Sequence, residues 1–272
     1  MTQIAFIGGG NMATSIIGGL IQQGDTSANM IHVSDPNADQ VAKLADDFGI
    51  QPHTDNAQAV ANADVVIMAV KPQVMKDVLA PMRATLAARQ PMLISIAAGI
   101  SLQSLSQWSG CQAIVRCMPN TPSLVGLGAT GLYATESVSL DQRNIADSLL
   151  RAVGVSVWVQ SEAEIDAVTA LSGSGPAYYF LLMEAMVQAG VKLGLSEETA
   201  TQLTLQTALG AGQMAANSDV GPAELRRRVT SPGGTTERAI QTFEAAHLRD
   251  IVEAAMQAAS DRAAELSQQL AD

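Results

Sequence analysis

Cysteine, aromatic side chains and positive charge are all scarce in this sequence, and each scarcity removes a class of protein. Only two of the 272 residues are cysteines, Cys111 and Cys117. Both fall in a segment that reads as one strand, where they would stand roughly 20 Å apart, out of reach of a disulfide. They are expected to be buried thiols in a reducing compartment. The three histidines, His32, His53 and His247, lack metal-ligand spacing, so no metal site is expected. Aromatic residues make up 3% against a hydrophobic share of 47%, so the core must come from Ala, Val, Ile, Leu and the 12 Met. A charged share of 15% suits a large buried core rather than a disordered chain.

The formal net charge is −11 with no long run of Lys or Arg, so a nucleic acid or an anionic membrane would be repelled. The one basic cluster, Arg226-Arg227-Arg228, reads either as a solvated helix face or as a site for an anionic ligand. No charged-then-apolar leader pattern opens the chain, because Met1-Thr2-Gln3 runs straight into a strand. Later apolar runs are broken by Gly, Pro or charge before membrane-spanning length. A cytoplasmic protein is expected.

What is present alternates strand and helix through the first half. Gln3–Gly8 predicts a strand, and a helix runs from about Asn11 to Gln23, closed by Gly24. Met30–Ser34 predicts the second strand, Ala38–Phe48 a helix closed by Gly49, and Asp64–Val70 a fully buried strand. Pro91–Ala98 and Ala113–Met118 add two more strands, with Gly131–Ala134 and Val155–Val159 as edge candidates. Apolar strands separated by amphipathic helices predict a parallel sheet covered on both faces. Near residue 160 the period-two pattern stops, and helical stretches run to the end. Pro176–Gly194 is apolar almost all round, which predicts a helix buried on every side. Ser196 opens the next helix in a pattern close to a capping box. The expected organisation is an α/β N-terminal Rossmann-type doubly wound domain over residues 1–160, then an all-α domain over 161–272. So small and apolar a helical domain is expected to complete its core with a second copy of itself.

Gly8-Gly9-Gly10-Asn11-Met12-Ala13 matches the dinucleotide fingerprint, one residue after a strand and opening a helix. The first glycine makes the turn, the second lets backbone approach a pyrophosphate, and Ala13 allows close helix–sheet packing. At the end of the second strand, Ser34-Asp35-Pro36-Asn37 leaves the choice between NADH and NADPH open. Asp35 would bond ribose hydroxyls or merely start a turn, while Ser34 and Asn37 could donate to a 2′-phosphate. Val70-Lys71-Pro72 and Ala97-Ala98-Gly99 follow two strands at the edge where ligands bind, and suit a nicotinamide ring lying against backbone. Lys71 reads equally as a solvated strand-end lysine.

A second constellation, Thr230-Ser231-Pro232-Gly233-Gly234-Thr235-Thr236, precedes a helix. It reads either as a neutral cradle for a carboxylate or phosphate or as an ordinary Pro-Gly turn with a Thr cap. Ser172-Gly173-Ser174-Gly175-Pro176 reads mainly as a close-packed helix break. No Ser-His-Asp arrangement or paired-carboxylate motif is evident.

Taken together, IAFIGGGNMA at the N-terminus, AVKPQ at 69–73, SIAAGIS at 95–101, VRCMPNTP at 115–122, LSGSGPAYYF at 171–180 and SPGGTT at 231–236 resemble pyrroline-5-carboxylate reductase. The resemblance spans the chain. It implies a Rossmann domain followed by an all-helical dimerisation domain, and a homodimer or higher oligomer. The implied reaction is reduction of 1-pyrroline-5-carboxylate to L-proline by NADPH or NADH, the last step of proline biosynthesis. It implies that Gly8, Gly10, Asn11 and Met12 hold the pyrophosphate. Ser34 and Asn56 would lie near the adenosine ribose, and Val70, Lys71 and Ala97 near the nicotinamide. The substrate carboxylate would sit on the turn of Ser231, Gly234, Thr235 and Thr236, with Thr236 also reaching the ring nitrogen. Glu162 aligns with a substrate-side acid. The three arginines before the turn depart from the family pattern, and Arg228 would strengthen NADPH binding if it reached a phosphate. A β-hydroxyacid dehydrogenase shares the plan but needs a lysine general acid, and Lys192 stands there without a supporting motif. A non-catalytic dinucleotide sensor would have no reason to keep the SPGGTT turn.

Overall fold

The computed structural model describes residues 2–24 and 26–270. It divides into two compact units, one formed by residues up to Ser174 and those from Ala258 onward, the other by Gly175–Gln257. By compactness the division thus falls fourteen residues beyond the change of sequence pattern at 160, and the chain's end returns to the first unit.

The first unit is built on β1 (Ile4–Ile7), β2 (Ile31–Ser34), β3 (Gln51–His53), β4 (Val65–Met68), β5 (Met92–Ser95), β6 (Ile114–Met118), β7 (Gly128–Ala134) and β8 (Gly154–Trp158). They form one sheet in the order β3-β2-β1-β4-β5-β6-β7-β8. Every neighbouring pair is parallel except β6 and β7. The helices are α1 (Asn11–Gln23), α2 (Ala38–Phe48), α3 (Asn56–Val60), α4 (Met75–Arg89), α5 (Leu102–Ser109), α6 (Leu140–Arg151) and α7 (Glu164–Val168). Strands β1, β4 and β5 are buried at every residue because helices cover both faces. On one face Ile4 and Phe6 meet Ile16, Ile17 and Leu20 of α1 and Val41 and Leu44 of α2. On the other, Ala5, Ile7 and Met68 meet Met75, Leu79 and Met82 of α4.

The expected strands and the first two helices all form. The structure departs from expectation at several points. Cys111 and Cys117 do not share a strand. Gly110 ends α5 in the left-handed conformation, Cys111 follows in the connecting turn, and β6 begins only at Ile114. Both thiols are free and buried, and burial raises the pKa of each. The strand β3 was not expected at all, since Gln-Pro-His carries no apolar pattern; it pairs with β2 as an edge strand, where proline is tolerated.

The second unit holds α8 (Gly175–Lys192), α9 (Glu197–Ala216), α10 (Pro222–Arg228), α11 (Thr235–Ala245) and the start of α12 (Leu248–Gln269). The break before α8 is close-packed as expected: a Cβ on Gly173 would lie 2.6 Å from Met118 Cε. Ser196 caps α9 by accepting the Thr199 N–H at 3.1 Å. Helix α8, by contrast, is not buried on every side within one chain. Tyr179, Phe180 and Leu181 are each about two-thirds exposed. An all-round apolar sequence reports that every face will be covered, and a single chain supplies cover only in part.

Candidate active site

The carboxyl edge of the sheet brings the expected dinucleotide residues together. Gly8 leaves β1 with φ +100°, and its N–H donates to Ser34 O at 2.8 Å. A Cβ there would lie 2.5 Å from Ala69 O and 3.2 Å from Val70 Cγ1, so only glycine lets the ends of β1 and β4 converge. Gly10 is the N-cap of α1 and makes no side-chain cap. Nothing lies within 4 Å of where its Cβ would be. The first-turn N–H groups, those of Asn11 and Met12 among them, have no intrahelical acceptors and face this open space at the positive end of the helix.

At the end of β2, Ser34 and Asn56 meet: Ser34 Oγ donates to Asn56 Oδ1 at 2.7 Å. Asp35 is a brace. Its Oδ2 accepts the Gly9 N–H at 2.9 Å and its Oδ1 accepts the Asn37 N–H at 2.9 Å, so both oxygens already hold backbone. Gln40 donates to Gly9 O at 2.6 Å, and Asn37 caps α2 by accepting from Asp39 and Gln40 N–H. The sequence could show Asp35 starting a turn. It could not show that the same carboxylate holds the glycine turn, a contact 26 residues distant. After β4, Val70 is half-buried beside Gly8, and exposed Lys71 stands just before a short 3-10 turn begun by Pro72, without capping it through its side chain. Ala97, after β5, is buried, and neighbouring Gly99 lies against Leu266 and Leu270 at the end of α12.

Glu162 stands elsewhere in the first unit. Its Oε1 accepts the Leu102 N–H at 2.7 Å, satisfying an open donor of α5, and accepts from Arg116 Nη1 at 3.0 Å. Arg116, almost fully buried on β6, also pairs through Nη2 with Asp166 at 3.3 Å. Arg116 falls within the VRCMPNTP segment, but nothing in that pattern assigns it a partner. The signal was there in principle, as a lone arginine inside an apolar strand.

In the second unit the turn from Ser231 to Gly234 leads into α11. Gly233 has φ +71°, Gly234 N–H donates to Ser231 O at 3.0 Å, and Gly233 N–H donates to Glu237 Oε2 at 2.8 Å. Gly234 is the N-cap without a side-chain cap, so the Thr235 and Thr236 N–H groups open the helix without intrahelical acceptors. Glu237, unremarked in the sequence, fastens the turn. The arginine cluster is a salt-bridged helix face. Arg227 and Arg228 contact Glu224 at 2.7 and 2.8 Å, and Arg226 contacts Glu244 at 3.4 Å. The hydrogen bond from Arg227, then that from Arg228, holds the Glu224 carboxyl below its usual range.

A parallel sheet whose first strand, glycine turn and helix form an open anion site, continued by an apolar helical unit, defines a dinucleotide-dependent oxidoreductase of Rossmann type. Comparison with known proteins sharpens this. Residues 3–99 match the family described as NADP oxidoreductase coenzyme F420-dependent, and residues 162–266 match that described as pyrroline-5-carboxylate reductase dimerisation. The pyrroline-5-carboxylate reductase of Pseudomonas aeruginosa is 58% identical, with 98% of each chain covered. That of Haemophilus influenzae is 46% identical over 97% of each. The structure of the Coxiella burnetii reductase superposes with a TM-score of 0.94 at 47% identity, covering 98% of both chains. That of Plasmodium falciparum pyrroline carboxylate reductase with NADP bound gives 0.84 at 28% identity, again over 98% of both. The chain belongs to the pyrroline-5-carboxylate reductase family.

Proposed function

We propose that this chain reduces 1-pyrroline-5-carboxylate to proline with a nicotinamide dinucleotide, NADPH or NADH. Family membership supports the substrate. The observation that carries the cofactor half is the uncapped N-terminus of α1, open in front of Gly10, with Gly8 shaped for close backbone approach. A pyrophosphate fits there: Gly8, Gly10, Asn11 and Met12 would hold it, Ser34 and Asn56 the ribose, and Val70, Lys71 and Ala97 the nicotinamide side. Once bound, the reduced dinucleotide supplies the hydride that the C=N carbon accepts.

The chain's own part is mostly orientation. Thr235 and Thr236 N–H groups receive the substrate carboxylate at the start of α11, with Gly234 and Ser231 shaping the turn. The Thr236 hydroxyl hydrogen-bonds the ring nitrogen and holds its proton in place. Glu162 would serve from the substrate side by its place in the family motif, its Oε1 meanwhile accepting from Leu102 N–H and Arg116. The working division is a dinucleotide-binding part over residues 1–160 and a helical part over 161–272. The helical part pairs two copies into a homodimer, supported by the apolar residues exposed along α8 and α9 and by the matched dimerisation family. Among the described residues no helix is long and apolar enough to cross a membrane. The two unpaired cysteines fit a cytoplasmic location.

The test is oxidation of NADPH and NADH by purified protein given the imine, followed by absorbance. Turnover with either is expected, and tight cofactor binding without turnover would overturn the substrate reading. Thr236→Ala should lower kcat/KM for the imine by about tenfold or more, the scale of one hydrogen bond to a charged group. An unchanged value would remove Thr236 from the reaction.

A further inference from the structure

We infer that the paired histidines His32 and His53 set how strongly the adenosine end of the site favours a 2′-phosphorylated dinucleotide over an unphosphorylated one. The inference rests on the placement of Ser34 and Asn56 beside the ribose. His53 is the register partner of Ser34 across β3 and β2. Partners in register send their side chains to the same face, and so do residues two apart on a strand, so His32, Ser34 and His53 share one face. His32 Nδ1 and His53 Nε2 share a hydrogen bond of 2.9 Å, and the rings stack with centroids 5.2 Å apart and planes 24° from parallel. Asn56, bonded to Ser34, completes the group.

A bond between two imidazoles takes one N–H and one lone pair. The pair therefore accepts one proton beyond its neutral state without losing the bond, and not two. Burial, and then the neighbouring His53, lower the pKa of His32. An added proton therefore belongs to the bonded pair, one ring donating to the other across the 2.9 Å contact. One positive charge arises beside Ser34, at a strand end where the sequence offers no cation before Lys43. An arginine commonly meets a 2′-phosphate at this place in the fold; here a titrating pair stands in for it.

The other ionisable groups around this edge do not supply that charge. Asp35 is held by the Gly9 and Asn37 N–H groups, and Asp55 accepts the Ala57 N–H. Helix α2, in contact with β3, carries Asp39, Lys43, Asp46 and Asp47 at exposed positions. Strand β1, helix α3 and the turn Ala28–Met30 carry no charged residue.

Calorimetric titration of the full-length protein with adenosine 2′,5′-bisphosphate and with 5′-AMP, near pH 6 and near pH 8, tests this across the histidine range. The affinity ratio favouring the bisphosphate should rise by about fivefold toward the lower pH, the scale of one part-screened charge contact. The ligand's own phosphate gains a proton over the same range and would weaken binding, so the rise cannot come from the ligand. The double variant His32→Gln, His53→Gln should abolish the rise while still binding 5′-AMP. A ratio that does not rise in the wild type, or rises equally in the double variant, overturns the inference. Ser34→Ala separates the two levels. If it weakens the bisphosphate but the ratio is flat with pH, the histidine inference alone fails. If it changes neither ligand, the ribose placement fails and the inference with it.

Discussion

Arg116 is the residue whose loss the first unit should feel most. Its side chain is 4% exposed and holds two carboxylates that are themselves largely covered, Glu162 at 31% and Asp166 at 20%. Removing the cation leaves both acids facing each other with their desolvation uncompensated. Arg116→Ala should therefore lower unfolding stability by about 3 kcal/mol, read from urea midpoints at constant m. Glu162→Gln should cost far less, because an amide oxygen still accepts from Leu102 N–H and Arg116. Equal losses for the two would show that the Glu162–Arg116 charge pair itself, rather than the burial of carboxylates left without a cation, carries the stability. Arg116 also marks a limit of sequence reading. The strand was legible from its apolar neighbours, whereas the partners, 46 and 50 residues downstream, are set by how α7 packs on β6 and β7. Asp35 shows the same limit, since the Gly9 amide it braces is chosen by the approach of two strand ends.

Elements were legible where local chemistry ends them. Helix α1 stops at Gln23 and α2 at Phe48 because Gly24 and Gly49 take up the left-handed conformation, with φ 78° and 72°. Strands read as continuous apolar runs because both their faces are covered. Strand β3 was missed because its pairing with β2 comes from the neighbouring backbone and nothing in Gln-Pro-His announces it. The glycine turn was legible as a pattern, and its first and third glycines now separate by role. Gly8 is indispensable to the fold, whereas Gly10 has φ −71° and open space around a would-be Cβ. An alanine at position 10 therefore fits the free protein, at a cost of about 1 kcal/mol for the changed cap. It should nonetheless weaken dinucleotide binding by at least about tenfold, since a methyl would stand where the pyrophosphate approaches. Thermal unfolding and cofactor titration of Gly10→Ala check both halves. Unimpaired binding would mean that the anion does not rest on this turn. Gly8→Ala, by contrast, should fail to accumulate as folded protein.

At the scale of the whole molecule, the apolar sequence of the helical unit and its exposure in a single chain would be reconciled by a second copy. Tyr179, Phe180, Leu181 and Leu182 on α8, with Leu203, Leu205, Leu209 and Met214 on α9, are all exposed in one chain. Exposed apolar surface on this scale is uncommon on a protein that stays monomeric. Periodicity reports that a helix face will be buried, never by which chain, so the all-round apolar pattern of α8 could be read while the source of its cover could not. If a homodimer supplies the cover, stability is linked to association and the melting temperature rises with protein concentration. Replacing Phe180 and Leu181 together by Asp should remove that dependence and shift the sedimentation of the protein to the monomer. The two α8 residues are remote in sequence from the glycine turn, so the first unit should still bind the dinucleotide as its strands and α1 dictate. A wild-type melting temperature independent of concentration, with sedimentation as a monomer, would instead mean that these faces are covered within one chain. The helical unit would then have to pack differently from the arrangement seen here.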